Sequence, residues 1–257
     1  MKYLVKEIKQ NCGYLIPIGD VHWGDKGFTQ SSKRKLKGYL DWVKERDNAC
    51  IFLMGDIFNV AGRESPTSPF ESSSSEYEEV IDFFEPYKDK IIGAIEGNHC
   101  ERIFEEFGFS PLALFCKTLG IPYCRYSAIV RFRVGKRKND KSRYNQNYFV
   151  FMHHSSGGGG TIGSKMNRIY KERDMVEGCD VYLGGHNHML GAVPMEIYYP
   201  SIQGGIKKRR IWYVDCGSYL DWQDSYAEKG MLAPAKIGSP RIRFDGRREC
   251  HDVHISL

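Results

Sequence analysis

The chain has 257 residues, 41% hydrophobic and 13% aromatic, enough to bury the core of one large domain or two small ones. Its 27% charged residues are ordinary for a globular protein, and the formal net charge of +5 admits a polyanionic partner without demanding one. The eight cysteines (Cys12, Cys50, Cys100, Cys116, Cys124, Cys179, Cys216 and Cys250) contain no CxxC pair and follow no regular spacing, which reads as the reduced thiols of a cytoplasmic protein, not a disulfide scaffold.

At the N-terminus, MKYLVKEIKQN is interrupted by charges, so no signal h-region is expected. No apolar run approaches ~20 residues, so no helical membrane span is expected either. Short apolar runs predict strands at Tyr14–Ile18, Cys50–Met54, Ile91–Ile95, Ala128–Val134, Tyr148–Met152, Val181–Leu183 and Ile211–Asp215. Arg241–Phe244 and Asp252–Ser256 read as edge strands.

Helices are expected between them. Lys33–Arg46 places Leu36, Leu40 and Val43 on one face. Glu76–Tyr87 follows a serine run able to cap it. Pro111–Leu119 has Ser110 as cap, Pro111 in its first turn and Gly120 as its stop, and Gly163–Arg173 is the fourth. Strands and helices alternate early and strands dominate late, which predicts an α/β layered fold. The Ser/Pro-rich stretch 61–75 reads as a loop insertion. The basic stretch Gly135–Asn147 reads as a solvated hairpin tip, with phosphate contact as the sharper alternative, and KKRR at Lys207–Arg210 is treated the same way.

The strand ends carry the chemistry. YLIPIGDVHWG ends with Asp20 and His22, IFLMGDIFN with Asp56, and IIGAIEGNHCER with Asn98 and His99. FVFMHHSS ends with His153 and His154, and VYLGGHNH with His186 and His188. Ligands bind beyond the C-terminal ends of strands in α/β sheets. Asp20 and His22, two apart on an extended segment, would face one ion together, whereas a turn could divide His186 and His188 between two ions. Mixed histidine and carboxylate suits Zn, Mn or Fe better than Ca or Mg. Gly19, Gly55, Gly97 and Gly185 precede these residues and are expected to let the chain turn sharply. Any one such residue is ordinarily a turn or cap residue; five strand ends carrying the right types in order is the specific signal.

The ordered set GDVH, GDIFN, GNHC, HH and GGHNH resembles the calcineurin-like metallophosphoesterase superfamily, whose pattern is D-x-H, G-D-x-x, G-N-H-[DE], H and G-H-x-H. The resemblance covers Gly19 to His188, about two thirds of the chain. It implies a single domain over 1–257 with two packed mixed β-sheets flanked by helices, the strand-rich part 189–257 completing the second sheet. It implies a dinuclear metal-dependent phosphoesterase. Asp20, His22 and His188 would hold one divalent ion; Asn98, His186 and one histidine of the 153–154 pair the other; Asp56 would bridge. His154, followed by Ser155 and glycines, is the first choice, and His153 the alternative. The ions would be Mn²⁺, with Fe, Zn or Ni as alternatives. They would sit roughly 3.5–4 Å apart and generate an attacking hydroxide, while His99 protonates the leaving oxygen as general acid. Cys100 stands where the family has Asp or Glu, so Cys100 and the following Glu101 are the candidates to support His99.

Three rivals were weighed. A P-loop at Gly158–Lys165 has lysine and serine in the wrong order. A non-catalytic phosphate-binding scaffold is disfavoured by the intact ligand set. A small DNA or RNA nuclease is admitted by the basic hairpins, although the chain beyond His188 is short for a DNA-end capping domain. A phosphodiester or phosphomonoester, nucleotide or nucleic acid, is the expected partner; no membrane contact is expected.

Overall fold

The computed structural model describes residues 1–59, 74–137, 143–155, 160–223, 228, 233–249 and 251–257. Its strands are β1 (Lys2–Ile8), β2 (Cys12–Ile18), β3 (Ala49–Leu53), β4 (Ile91–Ala94), β5 (Ser127–Lys136), β6 (Tyr144–His153), β7 (Val181–Gly184), β8 (Leu190–Pro200), β9 (Ile206–Cys216), β10 (Arg241–Asp245) and β11 (Val253–Ser256). Its helices are α1 (Gln30–Lys44), α2 (Ser74–Phe84), α3 (Asn98–Phe107), α4 (Pro111–Leu119) and α5 (Ile162–Met175).

Two mixed sheets form. One has the order β1-β5-β6-β7-β9-β8, the other β11-β10-β2-β3-β4. Strand alternation assigns each side chain to a layer. From β2 and β3, Leu15, Cys50 and Phe52 point between the sheets, where they meet Val130, Phe132, Val150, Met152, Leu183 and Phe244. Their neighbours Ile16, Ile18, Ile51 and Leu53 point outward beneath the helices, against Leu36, Leu40 and Val43 of α1, Phe84 of α2 and Phe115 of α4. On the far face of the six-stranded sheet, Ile169 of α5 packs with Phe151, Tyr182 and Tyr213. The result is helices, sheet, sheet, helix. Strands β2 and β3 are buried on both faces, which is why they read as unbroken apolar runs.

The helices keep their sequence signals. Thr29 accepts from the Ser32 N–H at the start of α1, and Ser110 from the Ala113 N–H at the start of α4. Gly120 ends α4 at φ 71°. The cap expected for α2 and the insertion at 61–75 lie largely outside the described residues.

Several expectations need correcting. Strands β1 and β8 were not predicted; they are the two edges of the six-stranded sheet, where weak burial permits charged residues and even Pro194. Arg241–Phe244 is not an edge, because β10 lies between β11 and β2. The C-terminal strands complete both sheets, β8 and β9 one and β10 and β11 the other. Helix α3 was also missed, since its first residues read as a strand-end motif. KKRR lies inside β9 rather than before it. Lys208 and Arg210 pair with Glu196 at 2.8 and 3.4 Å, Arg210 also with Asp252 at 3.3 Å, and Arg209 donates to the Cys179 carbonyl. Two of its four charges, Lys208 and Arg210, therefore face carboxylates within the fold.

Candidate metal centre

Strands β2, β3 and β4 of one sheet and β6 and β7 of the other deliver their C-terminal ends to one place. The loops after β2 and β3 are laced together: the Val21 and His22 N–H groups both donate to the Asp56 carbonyl, at 2.9 and 3.0 Å. The chain after β9 closes over them, with the Tyr219 N–H and Ser218 hydroxyl donating to the Asp20 carbonyl at 3.0 and 3.1 Å.

The turns are made differently from the expectation. Of the four glycines, Gly55 alone is left-handed, at φ 91°. The others are needed for close approach: a Cβ on Gly97 would lie 2.1 Å from Asp56 Oδ1, and one on Gly19 2.8 Å from the Met54 Cβ. The left-handed conformation falls on the polar residues themselves. Asp20, His22, Asp56, His186 and His188 have φ of 49°, 48°, 47°, 69° and 52°. Backbone of this kind is costly for L-residues and collects at functional sites.

Three overlapping groups of donor atoms result, the atoms of each within 4.8 Å of one another. Asp20, His22 and His188 form the first, Asp56, His154 and His186 the second, and His22, Asp56 and His99 a third that joins them. His188 Nε2 lies 3.4 Å from Asp20 Oδ1 and 3.1 Å from His22 Nε2. Asp20 and His22 meet because both backbones are left-handed, not because the segment is extended. His186 and His188 are divided between the groups by a tight turn, with the Asn187 N–H donating to the Gly185 carbonyl at 2.8 Å. Asn98 Oδ1 joins the second group, 3.2 Å from His154 Nε2 and 2.7 Å from His186 Nδ1.

Of the adjacent histidines, His154 is buried and inside the group, its Nε2 3.0 Å from Asp56 Oδ2. His153 points the other way, its Nδ1 3.3 Å from Glu172 Oε1 of α5. The glycines at 157–159 lie outside the described residues, and the P-loop reading with them. Lys165 is on α5, its Nζ donating to the Asn187 carbonyl at 2.8 Å.

His99 starts α3. Its ring lies edge-on to His22 at 4.6 Å, and its N–H donates to Asp56 Oδ1 at 3.0 Å. Among the described residues, His99 Nδ1 is buried without a hydrogen-bond partner. Neither side chain expected to support it does so. Cys100 is turned into the core under the five-stranded sheet, and Glu101 lines a separate cavity of about 370 Å³ between α3 and α4.

The electrostatics suit a cation. Burial alone would raise Asp20, but His188 and His22 hold it well below the usual carboxylate range. Burial likewise opposes ionisation of Asp56, and His154 overcomes it, so this carboxyl too is lowered. Burial works against protonated His154, yet the Asp56 charge and hydrogen bond raise it to about 9. Burial pulls His99 down to about 4 despite Asp56. Burial and the neighbouring Asp20 charge push Asp215, behind the site at the end of β9, well above the usual range.

A divalent ion fits these residues on two observations. Among the described residues Asp20 Oδ1 is buried with no hydrogen-bond partner and with the His188 imidazole near it, at 3.4 Å, which is costly for a carboxylate unless a cation meets it. Asn98 Oδ1 lies 3.2 and 2.7 Å from His154 Nε2 and His186 Nδ1, and His154 Nε2 3.0 Å from Asp56 Oδ2, a convergence of the atom types that coordination requires. Sequence reasoning missed Asp215, Glu172 and Arg102, and considered Lys165 only in the phosphate-loop reading. Asp215 could have been found, since YVDCGSY is a sixth strand end carrying an acid.

No protein-family model and no curated protein matches the chain. Among solved structures, Vps29 of Chaetomium thermophilum aligns at a TM-score of 0.40 and 9% identity, over 95% of this chain and 96% of that one. A likeness at this level carries no argument about activity.

Proposed function

We propose that the chain is a dinuclear metal-dependent phosphoesterase of the calcineurin-like kind. The observation that carries the reading is the convergence of the Asp20–His22–His188 and Asp56–His154–His186 groups at one edge shared by both sheets. Asp20, His22 and His188 would hold one ion, Asn98, His154 and His186 the other, with Asp56 between them. Mn²⁺ is the ion expected, with Fe, Zn or Ni as alternatives, because the set mixes imidazole, carboxylate and amide oxygen. Two such cations supply Lewis-acid charge and lower the pKa of a coordinated water.

The chain's own residues do the rest. His154 is fixed by its Nδ1 hydrogen bond to the Met54 carbonyl, at 2.6 Å, which leaves Nε2 free to coordinate. Asp56 is fixed by the His99 N–H. His99, grouped with His22 and Asp56, would meet the leaving oxygen of a phosphate ester and not a metal. An anionic phosphate next to it favours its protonated form, the form that gives a proton away.

The pairing of Lys208 and Arg210 with carboxylates removes part of the basic surface on which the alternative nuclease reading relies. The test is a substrate panel of monoesters, diesters, cyclic nucleotides and DNA, run after chelation and again with Mn²⁺ restored. Hydrolysis that returns with the metal supports the reading; hydrolysis that never needed it contradicts the reading.

A further inference from the structure

Helix α3 carries three polar residues toward the donor groups: Asn98, His99 and, one turn on, Arg102. Residues four apart share a helix face, which aligns Arg102 with Asn98. Arg102 is exposed, while Asn98 and His99 are half-buried.

The Asn98 amide has two ways to sit. With Nδ2 turned inward it donates to His154 Nε2, His186 Nδ1 and Asp56 Oδ2 at 3.2, 2.7 and 2.9 Å, and Oδ1 accepts from Arg102 Nη2 at 3.2 Å. With Oδ1 inward, a second-group cation has its amide ligand. Nδ2 then faces Arg102 Nη2 across the same 3.2 Å. Two N–H donors side by side, with no acceptor between them among the described residues, repel and suit an oxygen that accepts from both, an anionic one best of all.

We propose that Arg102 and the Asn98 amide nitrogen form a donor pair that grips a non-bridging oxygen of the substrate phosphoryl group, beside His99. This rests on the phosphoesterase reading and adds a substrate-binding residue to it. It also couples the two ligands: the amide orientation that serves the metal is the one that releases Arg102 from Asn98 and opens the anion site. Arg102 is suited to the task because its planar fork offers several donors in fixed directions, which lysine does not.

The test uses the full chain loaded with Zn²⁺, with inorganic phosphate as the probe, and compares wild type with Arg102→Ala and Arg102→Lys. Bound metal is measured by elemental analysis and phosphate affinity by calorimetry, with KM and kcat measured alongside on an active ester. The expected result is unchanged metal content, phosphate affinity and KM weakened about 10-fold or more in Arg102→Ala, and partial recovery in Arg102→Lys. Equal phosphate affinity in all three loaded proteins overturns the donor pair while leaving the phosphoesterase reading intact. A wild-type chain that takes up no metal overturns both, and does so before any variant is compared.

Discussion

His154 and Met54 fix the orientation of the second donor group. The Met54 carbonyl can only accept, so His154 must present Nδ1–H to it, at 2.6 Å, and aim Nε2 at Asp56 Oδ2, at 3.0 Å. A ring so oriented is prepared for coordination before any ion arrives. His153, one residue earlier, lies on the opposite face of β6 and pairs with Glu172.

The two histidines should therefore fail differently. His154→Ala should lose metal from the second group, seen as reduced metal content by elemental analysis. His153→Ala should keep its metal but lower the melting temperature, because Glu172 loses its partner in a buried place, a cost of about 1–3 kcal/mol. Equal metal loss in both variants would mean that His153 also coordinates.

His99→Asn separates coordination from proton transfer. Metal content should be unchanged and turnover should fall about 10²–10⁴-fold, most with poor leaving groups, as expected for loss of a general acid. Loss of metal in proportion to activity would make His99 a ligand.

The chelated protein should respond to pH through His154. Burial disfavours its charge, but Asp56 raises the folded pKa to about 9, above the unfolded value. The stability it contributes is fully present below about pH 6.5 and is lost as pH rises through about 9. The melting temperature of metal-free protein should fall from pH 7 to pH 10. Coordination needs the neutral ring, so uptake near neutral pH should release protons, which calorimetry in buffers of different ionisation enthalpy reads directly.

Much of the fold was legible because the central strands are apolar on both faces, as in Ile16–Ile18 and Ile51–Leu53. What the sequence hid lay at the edges. Strands β1 and β8 bury too little to show a pattern, and α3 begins on Asn98 and His99, whose motif masks a helix start. That Asp20, His22, Asp56, His154, His186 and His188 gather in one place was legible from residue type and order along the chain. Its backbone was not, because a left-handed Asp or His looks like any other; Glu172 meets His153 only through tertiary contact, and Arg102 meets Asn98 only because α3 is a helix.

Lys165 has a different assignment from the one its glycine neighbourhood suggests. It reaches from α5 to the Asn187 carbonyl, between His186 and His188. Lys165→Met should free that loop and weaken metal binding about 10–100-fold, the usual effect of removing a ligand's supporting contact. Loss of a nucleotide-triphosphatase activity without change in metal affinity would restore the phosphate-loop reading instead.

The most direct test of the central claim is a Mn²⁺ titration of the chelated chain, followed by elemental analysis and by hydrolysis of an activated phosphodiester. The account predicts two ions per chain and activity that rises with their uptake, both lost in Asp56→Asn. Hydrolysis in the fully chelated protein, or no stoichiometric binding at all, would contradict it.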